Sequence, residues 1–211
     1  DALRREYTQA YHACVSFVDA QIGLILDKLK AQKLWNDTIV IFTSDHGYHL
    51  GQHGLWQKSD LFEGSARVPF IISVPGMKTA GQSSTSLTEL IDLYPTLADL
   101  CNLPQPKHLK GHSLAPLLAN PKATVRQAAY STTRIRPRLP GFTGKVKPLG
   151  RSIRTDRYRY TERADGKYGV ELYDYQTDPR EITNLARSAA HTDKVKQLKT
   201  IFDQTFVTSI F

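Results

Sequence analysis

The run Thr38-Ile39-Val40-Ile41-Phe42-Thr43, followed at once by Ser44-Asp45-His46-Gly47, restricts this chain more than any other stretch. An apolar, β-branched segment that does not alternate reads as a buried strand of a parallel sheet, covered on both faces. Side chains just beyond the carboxyl end of such a strand stand where open α/β sheets place their chemistry. Asp45 offers a hard oxygen and His46 an imidazole nitrogen, both usable as metal ligands. Gly47 removes side-chain bulk where the chain must turn away. Lys58 follows, after His53-Gly54-Leu55-Trp56-Gln57. Metal ligands and a cation at one strand end point to an anionic substrate.

The flanking sequence builds around that strand. Residues 2 to 33 carry Tyr11, Cys14, Val15, Val18, Ile22, Ile25, Leu26 and Leu29 at helical spacing, which predicts one long amphipathic helix. Asn36-Asp37 turns the chain into the strand. Val68 to Val74 predicts a second strand, with Pro69 tolerable at its entrance. Ser86 to Asn102 predicts a second helix, kinked or split by Pro95. After an irregular, proline-rich stretch, residues 126 to 133 predict a strand, and 134 to 150 a basic loop long enough to be functional. Residues 152–154 and 157–162 read as hairpin strands and 171–175 as another. Residues 193 to 205 close the chain as a helix with Val195, Leu198, Ile201 and Phe202 inward. The expected fold class is α/β, as residues 1–121 of a catalytic sheet domain and 122–211 as a smaller antiparallel sheet with a terminal helix.

Composition removes some classes of function. With 40% hydrophobic residues the chain can bury a core. No apolar run approaches the ~20 residues that span a bilayer, so no membrane span is expected. The net charge of +8 is concentrated between Arg134 and Arg163. No recognition helix, zinc finger or RNA-recognition signature accompanies it, so no nucleic-acid partner is expected. A basic face balanced by acids outside this chain, or one that steers a polyanion, explains the charge equally well. Two cysteines make no disulfide framework, and Cys14 and Cys101 read as buried free thiols.

Ile41-Phe42-Thr43-Ser44-Asp45-His46-Gly47 with Leu50-Gly51-Gln52-His53-Gly54-Leu55-Trp56-Gln57-Lys58 resembles the C-terminal half of a sulfatase. The nearest branch is the iduronate-2-sulfatase-like group of the alkaline phosphatase superfamily. The stretches 11–19, 68–76, 89–97, 152–160 and 171–174 resemble further family segments, in family order. The resemblance implies part of an alkaline-phosphatase-like mixed sheet flanked by helices. It also implies that Asp45 and His46 are half of a calcium site, with Zn²⁺ left open by the histidine. Lys58 matches the family's active-site lysine, which would bridge sulfate and leaving-group oxygens, and His53 matches a position near the substrate. His46, His49 and His53 have zinc-like spacing, but the glycines at 47, 51 and 54 argue against one helix carrying all three. His49 is therefore expected at the surface or in support of the site. Trp56 is expected to pack the loop, and Arg134 and Arg154 are candidate substrate contacts.

The family's Cys-x-Pro-x-Arg or Ser-x-Pro-x-Arg motif, source of the formylglycine nucleophile, has no match here. Cys14 precedes Val15-Ser16, Cys101 precedes Asn102-Leu103, and Ser73-Val74-Pro75-Gly76-Met77 has methionine where arginine is needed. The paired aspartates that complete the family metal site are also missing. The resemblance thus implies the C-terminal portion of a sulfuric ester hydrolase, inactive alone, acting on a sugar or glycosaminoglycan sulfate with its N-terminal half as partner. It implies a periplasmic, secreted or lysosomal setting. The alternatives are a phosphodiesterase or phosphatase of the same superfamily, and a non-catalytic polyanion-binding module.

Overall fold

The computed structural model describes residues 1–58, 60–134 and 149–210, with side chains through residue 204 in the last helix. The predicted loop at 134–150, except for its ends, and the side chain of Phe206 lie outside the described residues.

Helix α1 spans Ala2–Ala31. Lys28 and Lys30 in its last turn suit the negative end of the helix dipole. Lys33 closes it in the left-handed region (φ 59), and the Leu34 N–H reaches back to the Leu29 carbonyl at 3.1 Å. The apolar spacing predicted the helix correctly but not its burial: α1 has no buried residue. Val15, Phe17, Val18, Leu24 and Ile25 are at least half exposed. Aromatic contacts anchor its first half, Tyr7 edge-on to Trp56 (5.6 Å) and Tyr11 stacked on Tyr48 (5.1 Å).

Strand β1 (Val40–Thr43) is not the buried parallel strand that its composition predicts. It pairs antiparallel with a later strand, Phe70–Ser73, and Phe42 is 42% exposed. An apolar run reports that a strand is to be covered, but not the direction of its neighbour. Between these two strands lie a small hairpin of β2 (His49–Leu50) and β3 (Trp56–Gln57) and the single-turn helix α2 (Glu63–Ala66). Phe70–Ser73 is then β4.

The second helix is shorter than predicted, α3 at Leu93–Leu100, preceded by a 3-10 turn at Leu90–Asp92. Pro95 causes no break, because it falls in the first turn, where the N–H has no intrahelical partner to lose. The fully buried Asp92 organises this region, accepting the N–H of Glu89 (2.8 Å), the N–H of His112 (2.8 Å) and the Arg126 guanidinium. Glu89 accepts the Tyr130 N–H at 2.6 Å, tying the start of the next sheet to this clip. Burial raises the pKa of Glu89. A short helix α4 (Ala115–Ala119) puts Leu117 inward.

The rest of the chain forms a four-stranded antiparallel sheet in simple order, β5 (Ala129–Arg134), β6 (Leu149–Arg154), β7 (Tyr158–Arg163) and β8 (Val170–Asp174). Helix α5 (Thr192–Ile210) packs on one face. Ala128, Ile153, Tyr160, Leu172, Leu198 and Phe202 make the main buried cluster, with Tyr160 edge-on to Phe202. The period of two on β7 sends Tyr160 and Glu162 toward α5, and Arg159 and Thr161 to the opposite face.

One sequence-based reading is corrected here and another in part. Cys14 and Cys101 are exposed, not buried; Cys14 sits on a face of α1 that the described residues leave uncovered, and Cys101 lies in the turn that ends α3. Of the basic stretch, the arginines from 151 to 163 are paired within the chain, Arg134 is exposed, and residues 135–148 lie outside the described residues. Arg151 pairs with Asp165 and Glu162, Arg154 with Glu63, Arg157 with Asp174, Arg159 with Glu63 and Glu181, and Arg163 with Glu171. Strand pairing places Glu162, Glu171 and Asp174 near Arg151, Arg163 and Arg157, while Glu63 and Glu181 reach Arg154 and Arg159 from outside the sheet, relations invisible in a linear charge run.

Candidate active site

β1 ends at Thr43 and delivers Ser44-Asp45-His46-Gly47 into a bend. The Ser44 hydroxyl donates to the His46 carbonyl at 2.8 Å, and the His46 N–H donates to Asp45 Oδ1 at 3.1 Å, so the bend is closed by its own polar groups. His46 Nδ1 lies 2.8 Å from the Gly47 carbonyl oxygen. That oxygen can only accept, so Nδ1 carries the proton and the Nε2 lone pair is left free. Nε2 stands 3.6 Å from Asp45 Oδ2, and the Asp45 side chain is 84% exposed. One imidazole nitrogen and one carboxylate thus face the same space from adjacent residues. This is a donor set that fits part of a metal shell, with the tautomer fixed by a carbonyl behind the ring. Asp45 does not cap a helix, since the chain proceeds from the bend into β2.

Gly47 is required by a close approach rather than by a turn. A Cβ there would overlap the Gly64 carbonyl oxygen and come within 2.9 Å of its carbon. Its N–H donates to the Ser65 carbonyl at 2.9 Å, which locks the bend to α2. Gly64 is crowded in turn, because a Cβ on it would come within 2.7 Å of His49 Cε1.

His49 is not at the surface. It is 1% exposed, with Nε2 2.9 Å from Asp60 Oδ2 but not aligned as a hydrogen bond. Asp60 also accepts the Phe62 N–H (2.8 Å) and the Ser65 hydroxyl (3.0 Å), fixing the turn into α2. His53 adopts a left-handed backbone (φ 54), and its ring stacks flat on Phe62 at 3.8 Å. Trp56 packs the hairpin as expected, lying across Gly51 and against Tyr7. Lys58 follows β3 and is exposed. The ladder ends at the pair His49↔Gln57, where Gln57 turns into the left-handed region (φ 74), so Lys58 leaves the hairpin at the end next to Tyr48.

The structure therefore joins Asp45 to His46 and sets Lys58 directly after the adjoining hairpin. It does not bring His46, His49 and His53 into one ligand set: among the described residues no three His, Cys, Asp or Glu side chains converge. Arg154 is turned inward, its Nε 3.5 Å from Glu63 and its guanidinium over the Tyr175 ring at 3.6 Å, so it is not free to meet a substrate. Arg134 ends β5 and is exposed. Sequence reasoning missed Asp60, Glu63, Arg159 and Glu181. Their role lies in contacts up to 118 residues apart, for which local spacing carries no signal.

Residues 2–103 match the model of the family described as Sulfatase. The chain is 35% identical to arylsulfatase K of Gallus gallus over 83% of its own length and 33% of that protein. It is 29% identical to iduronate 2-sulfatase of Mus musculus, over 93% of this chain and 47% of that one. Among solved structures, one bound to its substrate D-glucosamine-2-N,6-O-disulfate superposes with a TM-score of 0.81 at 30% identity, over 91% of this chain and 38% of that one. The phosphonate monoester hydrolase of Agrobacterium radiobacter gives 0.80 at 32% identity, over 92% and 40%. The chain belongs to the sulfatase family, with iduronate 2-sulfatase one of several similar members. It spans about a third of the length of arylsulfatase K. No helix among the described residues is long and apolar enough to cross a membrane.

Proposed function

We propose that this chain is the C-terminal portion of a sulfatase that hydrolyses sulfate esters of a sugar or glycosaminoglycan, with residues 1–121 completing the catalytic sheet and 122–211 forming the subdomain beside it. The observation that carries this reading is the free Nε2 of His46 beside the exposed Asp45 carboxylate, 3.6 Å apart at a strand end. The substrate of the disulfated-glucosamine complex supports the choice of a sulfated carbohydrate. The uncovered apolar face of α1, with Phe42 and Ile71 on β1 and β4, is where an N-terminal half would pack. A periplasmic, secreted or lysosomal setting is part of the same reading.

Asp45 and His46 would hold Ca²⁺, together with ligands from the N-terminal half. When bound, the ion supplies Lewis-acid polarisation of the sulfate ester, and a formylglycine in that half supplies the nucleophilic oxygen. The residues of this chain do the rest. The carbonyl of Gly47 keeps His46 in the tautomer that can ligate. The Lys58 ammonium donates to sulfate and leaving-group oxygens, where negative charge grows as the S–O bond breaks. His53, held flat by Phe62, presents its ring edge to the same anion.

The test uses the enzyme assembled with its N-terminal portion. Asp45→Ala should lose bound metal and activity together. Lys58→Ala should keep the metal and lose ~10²–10³ in turnover, with Lys58→Arg a partial rescue, since the guanidinium keeps charge but not geometry. Full metal in Asp45→Ala, or near-normal turnover in Lys58→Ala, would remove this segment from the active site. The likeness to a phosphonate monoester hydrolase favours a second reading, in which the same site cleaves phosphonate or phosphate esters. An aryl sulfate and an aryl phosphonate assayed side by side decide between them. A polyanion-binding module without catalysis fits less well, because Arg151, Arg154, Arg157, Arg159 and Arg163 pair with carboxylates of this chain.

A further inference from the structure

Between the strand-end loop and the C-terminal sheet lies a buried polar cluster that this chemistry does not use. Arg159, on β7, is 2% exposed. Its guanidinium meets Glu181 Oε1 at 2.7 Å, the Tyr175 hydroxyl at 2.8 Å, Ser152 Oγ at 3.3 Å and the Glu63 carboxylate. Glu181 is equally buried and turns its other oxygen to the backbone N–H of Glu63 at 2.7 Å. Arg154 completes the set against Glu63. Two cations face two carboxylates, so the cluster is neutral as a whole. An arrangement of this kind contributes little net stability but tolerates only one geometry. Burial works against the charge on Arg159, but Tyr175, Glu181 and Glu63 outweigh it and hold its pKa above the ordinary value. Burial also raises the pKa of Tyr175, keeping its hydroxyl a neutral donor.

What the cluster grips is α2, of which Glu63 is the first residue. From the same turn, the Ser65 carbonyl holds Gly47 beside Asp45 and His46, and Gly64 presses on His49. Asp60, on the segment leading in from Lys58, accepts from Phe62 and Ser65. One short helix therefore connects the terminal sheet to both halves of the candidate site.

We propose that Arg159 and Glu181 are positioning residues. From the C-terminal sheet they clamp α2 through Glu63, and α2 sets where the Asp45–His46 bend and the Lys58 hairpin stand. The inference rests on the sulfatase reading only for what the positioned groups do.

Glu181→Gln is the test, because its amide must turn a donor toward either Arg159 or the Glu63 N–H. Tyr175→Phe is the milder companion should the first variant fold poorly. Hydrogen exchange of the enzyme assembled with its N-terminal portion should speed up at least tenfold across residues 45–58, while the ladder amides of β6 to β8 keep their protection. Glu171→Gln, which breaks the 3.1 Å pair with Arg163 in the same sheet, should leave residues 45–58 unchanged. In the assembled enzyme, Glu181→Gln should lower kcat about 10²-fold, the order expected for a displacement of about 1 Å, with KM little changed. Unchanged exchange at 45–58, or equal loss of protection in the β6–β8 ladder, would overturn the proposal. Exchange is read without substrate. A coupled loop in a protein that cleaves no sulfate ester would therefore sink the sulfatase reading alone.

Discussion

Replacing Gly47 by alanine tests whether the bend and α2 form one unit. The added Cβ would overlap the Gly64 carbonyl oxygen and lie 2.9 Å from its carbon and 3.3 Å from the Arg67 carbonyl oxygen. All three are backbone atoms, so no side chain can swing away. Restoring contacts near the ~3.5 Å optimum requires the segments to separate by about 1.5 Å. That stretches the 2.9 Å bond from the Gly47 N–H to the Ser65 carbonyl beyond useful length. Losing that bond costs about 1 kcal/mol, and the overpacking adds about 1–3 kcal/mol. The total is about 2–4 kcal/mol, or a fall in Tm of order 8 °C for a domain of this size. The same separation moves Asp45 and His46 relative to Lys58 and should cost ~10² in turnover. Gly111→Ala is the matched control. Its Cβ would overlap the Ile91 carbonyl, again backbone on backbone, but in the Asp92 cluster, which holds none of the candidate site residues. It should destabilise comparably and spare kcat per folded enzyme. Thermal unfolding and steady-state kinetics of the two variants provide the comparison. An unchanged Tm in Gly47→Ala, or an equal loss of kcat in Gly111→Ala, would refute the reasoning.

Two further outcomes follow from packing and charge. The exposed apolar face of α1 should make the 211-residue chain bind a hydrophobic dye or self-associate, with the effect suppressed by the N-terminal half; a dye-silent monomer would contradict it. The Arg157 guanidinium, bonded to both oxygens of Asp174 at 2.8 and 2.6 Å, holds that carboxyl below the usual range. A depressed pKa contributes stability that is fully present above the unfolded value of about 4 and is lost as pH falls through the folded value. Asp174→Asn should therefore flatten the loss of stability below about pH 4, measured as urea midpoints; parallel curves for the two proteins would rule out this linkage.

Where the signal was local, the sequence determined the outcome. The spacing of Tyr11, Ile22, Leu26 and Leu29 is enough to make α1, and alternation with turn residues is enough for the hairpins of the C-terminal sheet, because these depend on neighbours a few positions away. Asp45, His46 and Lys58 were legible as candidates because the bend and hairpin that carry them are contiguous in the chain. The direction of β1's neighbour was not legible, since an apolar strand is equally apolar beside a parallel or an antiparallel partner. Nor were the exposure of Cys14 and Cys101, the burial of His49, and the pairing of the basic stretch. Burial and ion pairing are properties of what the fold brings alongside, and Glu63, Arg159 and Glu181 meet only after β7 and α2 have been placed. Spacing along the chain fixed which residues could act as ligands, whereas tertiary contact alone decided which charges were already committed inside the protein.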